Sequence, residues 1–183
     1  IGLQTGGLLA FWYDLRAKPE DFSAGRLVEI SVHSSIDFTN YNPQGIADYY
    51  GVRIIGYIKP KYSEEYTFYV TSDDGVRVWF NGKLVVNAWK KQPPTTYSWT
   101  ESLTAGYWYP IVIEHFEHAS GERLLLEWES PSQPREVVSG DNLAWSFIDL
   151  IHGLRTQWGD FHVIGGGIYF ADAPQAPASP PET

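Results

Sequence analysis

Short runs in which apolar and polar residues alternate occupy the middle of the chain. Between residues 65 and 71 apolar side chains fall at every second position, and residues 76–80 repeat this pattern. Such a period of two is typical of a half-buried β-strand. Asn81-Gly82 follows the second run, and a third apolar run begins at Leu84. Because a type I′ turn needs positive φ at both central residues, Asn-Gly predicts a tight hairpin here.

Further β-like runs are separated by Gly, Pro or Ser turns, and together they indicate the fold class. They cover residues 8–15, 52–58, 107–116 and 123–128. Many short strands at this spacing predict an all-β sandwich or barrel with short helical or irregular insertions.

Two segments near the C-terminus do not follow this pattern. Apolar residues recur at helical spacing from Leu143 to Leu154, with Asp141 as a candidate N-cap, and predict one helix. Residues 161–170 contain three consecutive glycines, and they predict a closing strand with a bulge.

Composition narrows the possible functions. Of the 183 residues, 43% are hydrophobic and 16% aromatic, so the chain has enough apolar surface to form a folded core. The formal net charge of −9 argues against binding to nucleic acid or to an anionic membrane, and suits a cation ligand. No cysteine is present, which excludes disulfides and thiolate metal sites. The sequence contains no apolar run of 18 residues, so we expect neither a transmembrane span nor membrane insertion.

The predicted organisation is one domain followed by a linker. We expect residues 1–170 to form a single domain. Residues 171–183 contain four prolines among small residues, which is typical of an extended linker. The linker, together with an initial Ile, indicates a module of a longer, multidomain protein.

Two adjacent carboxylates, Asp73 and Asp74, lie between the two clearest strands. Asp and Gly are ordinary turn residues, so a simple turn is one interpretation. However, neighbouring carboxylates repel each other, and on an extended backbone they point to opposite faces. Bringing both to one ion requires a sharp bend or a cis peptide bond. A hard divalent cation with oxygen ligands is the alternative interpretation.

The residues around this pair resemble the PA14 domain family. Segments 66–68, 72–79 and 81–86, with Trp89, are similar to the centre of that family, and residues 103–128 continue the similarity in the same order. Residues 7–13 resemble its opening strand, so the best match covers residues 7–128. The resemblance implies a β-sandwich of barrel-like shape. An ordered set of motifs is far more specific than Asp-Asp-Gly alone.

The resemblance also implies a metal site. In lectin members of the family, two consecutive aspartates joined by a cis peptide hold Ca²⁺, a second loop adds a side-chain oxygen and main-chain carbonyls, and two neighbouring sugar hydroxyls complete the coordination. Carried over to this chain, the implied Ca²⁺ ligands are Asp73, Asp74, Glu117, Ala119 and Gly121. The implied sugar contacts are Asp73, Asp74, His118, Ser120, Glu122 and Trp99.

Glu117 departs from the family pattern, because adhesin members often carry Asn or Gln at that position. Three carboxylates would place a charge of −3 against the +2 of the ion, which tightens Ca²⁺ binding but disfavours acidic sugars. We therefore expect neutral sugars, such as fucose, glucose or mannose types. The alternative interpretation of Glu117 is an exposed carboxylate at the end of a strand.

These features predict a Ca²⁺-dependent lectin domain of a bacterial cell-surface adhesin, located outside the cell. The family resemblance extends to large repeats-in-toxin adhesins and to yeast flocculins and epithelial adhesins. The alternatives are an accessory module of a secreted glycoside hydrolase or a Ca²⁺-stabilised structural spacer. We expect no enzymatic activity: the sequence has no Gly-x-Ser-x-Gly, and His115 and His118, spaced i,i+3 on a strand, cannot share a zinc ion. We expect both histidines on the surface or in loops.

Overall fold

Two antiparallel β-sheets packed face to face make up the fold in the computed structural model, which describes residues 2–158, 161–164 and 167–170. The strands are β1 (Gln4–Thr5), β2 (Leu8–Asp14), β3 (Arg26–His33), β4 (Asp37–Thr39), β5 (Tyr50–Ile58), β6 (Glu64–Asp73), β7 (Val76–Phe80), β8 (Lys83–Ala88), β9 (Thr95–Leu103), β10 (Tyr109–Glu117), β11 (Arg123–Ser130), β12 (Gln133–Val137), β13 (Leu143–Trp145), β14 (Phe161–Ile164) and β15 (Gly167–Phe170). The α-helix is α1 (Phe147–Trp158), and short 3₁₀ helices span Phe22–Ala24, Pro43–Gly45 and Gly140–Asn142.

The two sheets contain eight and five strands. The eight-stranded sheet has the order β1-β13-β5-β10-β7-β8, with β2 pairing with both β3 and β5. The five-stranded sheet has the order β12-β11-β6-β9, with β4 pairing with β11. The prediction of an all-β sandwich is therefore confirmed. Among the described residues, no helix has the length and apolar character needed to span a membrane.

The main core lies between the inner faces of the two sheets and is rich in aromatic side chains. Trp12, Tyr66, Phe68, Phe80 and Trp128 are all almost fully buried there. Each of these rings removes a large apolar area from water, which is the dominant favourable term in folding. The alternation seen in the sequence therefore marks the side of each strand that faces this core.

A second, smaller core covers the outer face of the eight-stranded sheet. Phe11, Tyr13, Phe22 and Phe116 are buried in it, with Leu150 of α1 packed against them. Because of this cover, both faces of the C-terminal half of β10 are buried. Polar residues at this end of β10 are consequently removed from water on either face.

The hairpin predicted at Asn81-Gly82 is confirmed. Asn81 has φ 50° and Gly82 has φ 82°, the positive values that a type I′ turn requires. Phe80 pairs with Lys83 across the turn, and β7 and β8 continue from it as antiparallel neighbours.

The predictions for the C-terminal segment need correction. Leu143 belongs to strand β13, and the helix begins only at Phe147. Its cap is Ser146, whose Oγ accepts a hydrogen bond from the Asp149 backbone N–H at 3.0 Å, and Asp141 instead lies in a 3₁₀ helix. Phe161–Ile164 and Gly167–Phe170 are two strands that pair with each other, rather than one closing strand. The predicted linker, residues 171–183, lies outside the described residues.

Candidate metal centre

Three carboxylates from the two sheets meet at one end of the sandwich. Asp73 ends β6 in the five-stranded sheet, and Glu117 ends β10 in the eight-stranded sheet. Asp74 lies where the chain crosses between the sheets, and the Asp73–Asp74 peptide bond is cis. One carboxylate oxygen from each residue can be chosen so that all three lie within 4.8 Å of one another. The structure therefore brings together the three carboxylates that the family resemblance assigns to one ion.

Backbone hydrogen bonds fix the position of Asp74. Its N–H donates to the Phe116 carbonyl at 3.1 Å, which fastens the crossing segment to β10. Its Oδ1 accepts from the Gln92 N–H at 3.0 Å, and its Oδ2 accepts from the His118 N–H at 2.7 Å. Each oxygen keeps a further lone pair, because an ionised carboxylate offers about four acceptor positions. Asp74 is thus oriented by protein donors and still able to coordinate a cation.

Glu117 is buried without any compensating partner. Its side chain is only 1% exposed, and neither carboxylate oxygen has a hydrogen-bond partner within the described part of the chain. Burial, followed by the charges of Asp74 and Asp73, raises the pKa of Glu117 to about 8. A buried unpaired carboxylate is strongly unfavourable, and a cation among the three acidic groups would remove the penalty. The alternative of an exposed strand-end carboxylate is wrong for this residue.

The same environment acts on Asp73. Burial and the neighbouring Asp74 raise the pKa of its carboxyl group above the ordinary value. Three oxygen-donor carboxylates with mutually repulsive charges, and no nitrogen or sulfur ligand among them, match the preference of a hard divalent cation such as Ca²⁺. The residues present therefore fit the metal that the family resemblance implies.

Gly75 is required by close packing behind the acidic pair. A Cβ built on Gly75 would lie 2.1 Å from Cε1 of Phe116, well inside the distance that any real side chain could occupy. The Asp-Asp-Gly sequence thus reflects both the two carboxylates and the ring that packs against the turn.

A buried polar network lies beneath the three carboxylates. It corrects the predictions for His115, expected on the surface or in a loop, and for Glu122, expected to contact sugar. His115 is fully buried rather than on the surface: its Nδ1 lies 3.0 Å from Ser72 Oγ and 2.9 Å from the Gly75 carbonyl. Its Nε2 lies 3.0 Å from Glu122 Oε2. Glu122 is only 4% exposed, and it also accepts from the Tyr41 N–H at 2.8 Å.

The environment of Glu122 holds its carboxylate in the charged form. Burial would raise the pKa of Glu122, but hydrogen bonds from His115, Tyr41 and Tyr50 outweigh burial and lower the pKa. The interpretation of Glu122 as a sugar contact is therefore wrong. Its side chain supports the second loop from inside, where a saccharide has no access.

The loop predicted to add further ligands, residues 118–121, follows Glu117 directly and lies beside the acidic cluster. The His118 ring packs edge-on against Tyr49 with a centroid distance of 4.9 Å, and Ser120 is exposed with φ 74°. Ala119 and Gly121 lie in the same loop, and Gly121 has φ 115°. His118 is partly exposed and Ser120 is exposed, so both are accessible at the rim of the acidic cluster. Ala119 and Gly121, the two residues expected to supply carbonyl ligands, lie between and beside them in the same loop.

Trp99 does not lie at this rim, so its prediction as a sugar contact is wrong. It is 8% exposed and stacks on Phe68 in the main core, with ring centroids 5.0 Å apart and an interplanar angle of 9°. Trp99 shares one face of β9 with Leu103, which is also buried.

Two residues at the centre were not predicted from the sequence. Gln92, from the loop after β8, donates from its backbone to Asp74, and its Nε2 donates to the Asp74 carbonyl at 2.8 Å. Asp48 accepts a hydrogen bond from the Ser120 N–H at 3.3 Å, and its charge contributes to the raised pKa of Glu117. Nothing local in the sequence marks either residue, because each contact joins distant segments.

Two anti-sigma factors are similar to this chain in sequence. Anti-sigma-I factor RsgI3 of Acetivibrio thermocellus is 39% identical over 125 residues, which is 67% of this chain and 19% of that protein. The solved structure of an anti-sigma factor domain-containing protein is 36% identical, with a TM-score of 0.70, over 78% of this chain and 48% of the other. The chain thus spans less than half the length of either relative.

A third comparison concerns an adhesin. The epithelial adhesin 6 A domain of Candida glabrata, solved in complex with Galβ1-3GlcNAc, has a TM-score of 0.63 over 80% of this chain and 89% of that domain. At 19% identity, this likeness shows the fold alone.

The family model of the PA14 domain matches residues 4–142, a span that includes every residue of the acidic cluster and its second loop. This chain belongs to the PA14 domain family.

Proposed function

We propose that this chain is a Ca²⁺-dependent carbohydrate-binding domain. The observation that carries the proposal is Glu117, a buried carboxylate beside Asp73 and Asp74 whose two oxygens have no hydrogen-bond partner among the described residues. A purely structural role would leave this side chain buried and unsatisfied, whereas a bound cation gives all three carboxylates a partner.

In the proposed mechanism, binding follows from how the chain arranges oxygen donors. Asp73, Asp74 and Glu117 supply carboxylate ligands, and Ala119 and Gly121 supply main-chain carbonyls. Ca²⁺ accepts six to eight oxygen ligands, so positions remain for two vicinal hydroxyls of a neutral sugar. The sugar class follows from the excess negative charge of the three carboxylates, which disfavours acidic glycans.

Side chains at the rim would add selectivity. His118 and Ser120 lie beside the acidic cluster and offer hydrogen bonds to further hydroxyls of the saccharide. A shallow, solvated site of this kind gives modest affinity, about 1 mM or somewhat tighter for one sugar. Firm attachment would then depend on several copies acting together.

The relatives bear on the biological setting of the proposed function. The proteins at 36–39% identity are anti-sigma factors, whereas the adhesin domain is only 19% identical. We therefore favour a domain of a longer anti-sigma-factor-like protein over an adhesin domain. The location outside the cell rests on the likeness to adhesin domains, and the anti-sigma factor relatives argue for a different location. In either setting the domain recognises a saccharide, and the rest of the parent protein uses that recognition.

Calorimetry and a glycan array, each run in millimolar Ca²⁺ and in EDTA, test this proposal on the wild type, Asp73→Ala and the control Asp141→Ala. Asp141 is an exposed aspartate in a 3₁₀ helix, outside the acidic cluster. We expect the wild type and the control to bind Ca²⁺ and a few neutral glycans, with glycan binding lost in EDTA. Asp73→Ala should bind neither.

Other results would select other functions. If Ca²⁺ raises the melting temperature but no glycan binds, the domain is a metal-stabilised spacer or an accessory module. Glycan binding that persists in EDTA would refute the metal-dependent mechanism.

A further inference from the structure

The loop between β8 and β9 reaches into the acidic cluster through Gln92. This glutamine is 9% exposed, although it lies between the exposed Lys91 and Pro93. A buried polar side chain within an exposed loop needs hydrogen-bond partners to offset the loss of water. The backbone N–H and the side-chain Nε2 of Gln92 contact Asp74, and its Oε1 contacts Tyr97.

Gln92 holds Asp74 at two separate points. Its backbone N–H donates to Asp74 Oδ1 at 3.0 Å, and its side-chain Nε2 donates to the Asp74 main-chain carbonyl at 2.8 Å. The bond to Oδ1 orients the carboxylate, and the bond to the carbonyl fixes the Asp74–Gly75 peptide plane. Together with the His118 N–H on Oδ2 and the Ser72 hydroxyl on the Asp74 carbonyl, the two bonds set the direction in which the remaining lone pairs of Asp74 point.

Tyr97 fixes the glutamine in turn. The Tyr97 hydroxyl donates to Gln92 Oε1 at 2.6 Å, which determines the orientation of the amide and places Nε2 toward Asp74. Tyr97 lies on β9, next to β6 in the five-stranded sheet. The chain of contacts therefore runs from a sheet strand through Gln92 to one carboxylate of the cluster.

We infer that Gln92 is a positioning residue of the metal centre, acting through Asp74, with Tyr97 as its support. This inference rests on the proposed Ca²⁺ site. Hydrogen-bond partners of metal ligands commonly change metal affinity by about 10- to 100-fold when they are removed. The Gln92 side chain is expected to behave in this way because its amide holds the main chain of Asp74, the ligand whose carboxylate the Gln92 backbone N–H orients.

The chain offers a matched control in Gln133. It is also a buried glutamine, 6% exposed, and its Oε1 also accepts a hydrogen bond from a tyrosine hydroxyl, that of Tyr66 at 3.2 Å. However, Gln133 begins β12 and pairs with the end of β11, whereas Asp73 pairs with Arg123 at the opposite end of β11. Substitution of Gln133 thus removes a similar buried amide far from the metal centre.

Isothermal titration of the metal-free chain with Ca²⁺ tests the inference on the wild type, Gln92→Met, Gln92→Ala, Tyr97→Phe and Gln133→Met. Methionine keeps about the volume of glutamine without its side-chain hydrogen bonds, and the backbone N–H of residue 92 remains available to Asp74 Oδ1, so this variant separates positioning by the amide from packing. We expect both Gln92 variants to raise the Ca²⁺ Kd about tenfold or more, and Tyr97→Phe to raise it less. Gln133→Met should lower the melting temperature in EDTA and leave the Kd within about twofold of wild type.

The possible failures are distinguishable. If the wild type gives no Ca²⁺ binding, the proposed function fails and this inference fails with it. If the wild type binds and Gln92→Met retains the same Kd, the proposed function stands and the positioning role is refuted. A Kd change in Gln133→Met as large as in Gln92→Met would also refute it, because loss of any buried amide would then have the same effect.

Discussion

Replacement of Glu117 by Gln tests the electrostatic description of the acidic cluster most directly. Gln has nearly the same shape as Glu but carries no charge at any pH. In the wild type, Glu117 is buried, neither of its oxygens has a partner in the part of the chain that the structure describes, and its pKa is raised from 4.5 to about 8. The substitution therefore removes one ionisable group and leaves the surrounding packing unchanged.

The direction of the effect follows from proton linkage. The folded metal-free domain keeps a proton on Glu117 that the unfolded chain releases above about pH 4.5. The free energy of unfolding contributed by this group is therefore fully present below pH 4.5, and it falls as the pH rises toward about 8. The amide in Glu117→Gln contributes no such dependence, so the variant should lose less stability over the same pH range.

The magnitude follows from the size of the shift. A change of one pKa unit corresponds to about 1.4 kcal/mol, so a rise from 4.5 to about 8 sets an upper limit of about 5 kcal/mol. Relaxation of the site and entry of water reduce this value, and we expect a difference of about 2 to 4 kcal/mol between pH 5 and pH 8. The raised pKa of Asp73 acts in the same direction in both proteins and cancels in the comparison.

Urea unfolding in EDTA at pH 5, 6.5 and 8 measures this difference, with Glu65→Gln as the control. Glu65 is an exposed glutamate on β6, the strand that ends at Asp73. Its substitution should leave the pH dependence of the wild type intact. Saturating Ca²⁺ at pH 8 should stabilise the wild type more than Glu117→Gln, because the variant lacks one charged ligand. Equal pH dependence of the wild type and Glu117→Gln in EDTA would refute the electrostatic reasoning.

Three further predictions concern neighbouring residues. Asp74→Asn should abolish both Ca²⁺ and glycan binding while the far-UV circular dichroism stays that of the wild type; retained glycan binding would show that the site lies elsewhere. Gly75→Ala should lower the free energy of unfolding by about 1 to 3 kcal/mol, measured in urea, because its Cβ would overlap Phe116; an unchanged stability would contradict this packing. Trp99→Phe should lower the melting temperature and leave glycan affinity unchanged, since Trp99 lies in the main core; a selective loss of glycan affinity would contradict its placement.

Much of the fold could be predicted from the sequence because alternation and turn chemistry are local signals. The hairpin at Asn81-Gly82 depends on two adjacent residues, and the strands on either side show a clear period of two. Strand β9 was not predicted, because Thr95 and Glu101 stand among its less exposed positions and interrupt the apolar face that Trp99 and Leu103 form. The residues of β13 were assigned to the helix, because a three-residue strand has too few positions to reveal its period.

The acidic pair could be predicted, whereas the polar network beneath it could not. Ser72 and His115 follow Val70 and Ile113 in the period of two of their strands, and Glu122, just before β11, precedes Leu124 in the same period. This periodicity indicates burial, but it does not indicate which polar residues from three segments are partners. Contacts such as Gln92 with Asp74 depend on the tertiary arrangement and leave no local mark.

The origin of the three carboxylates in different sheets has a mechanical consequence. Asp73 extends from the five-stranded layer and Glu117 from the eight-stranded layer, with Asp74 on the crossing segment between them. An ion held by all three would act as a cross-link between the two layers in a chain that has no cysteine for a disulfide. Such a link exists only when both layers are assembled, so the ion would stabilise the complete sandwich, by about 2.7 kcal/mol at a hundredfold excess over its Kd. The calcium concentration around the protein would thus set its resistance to unfolding as well as its capacity to bind a saccharide.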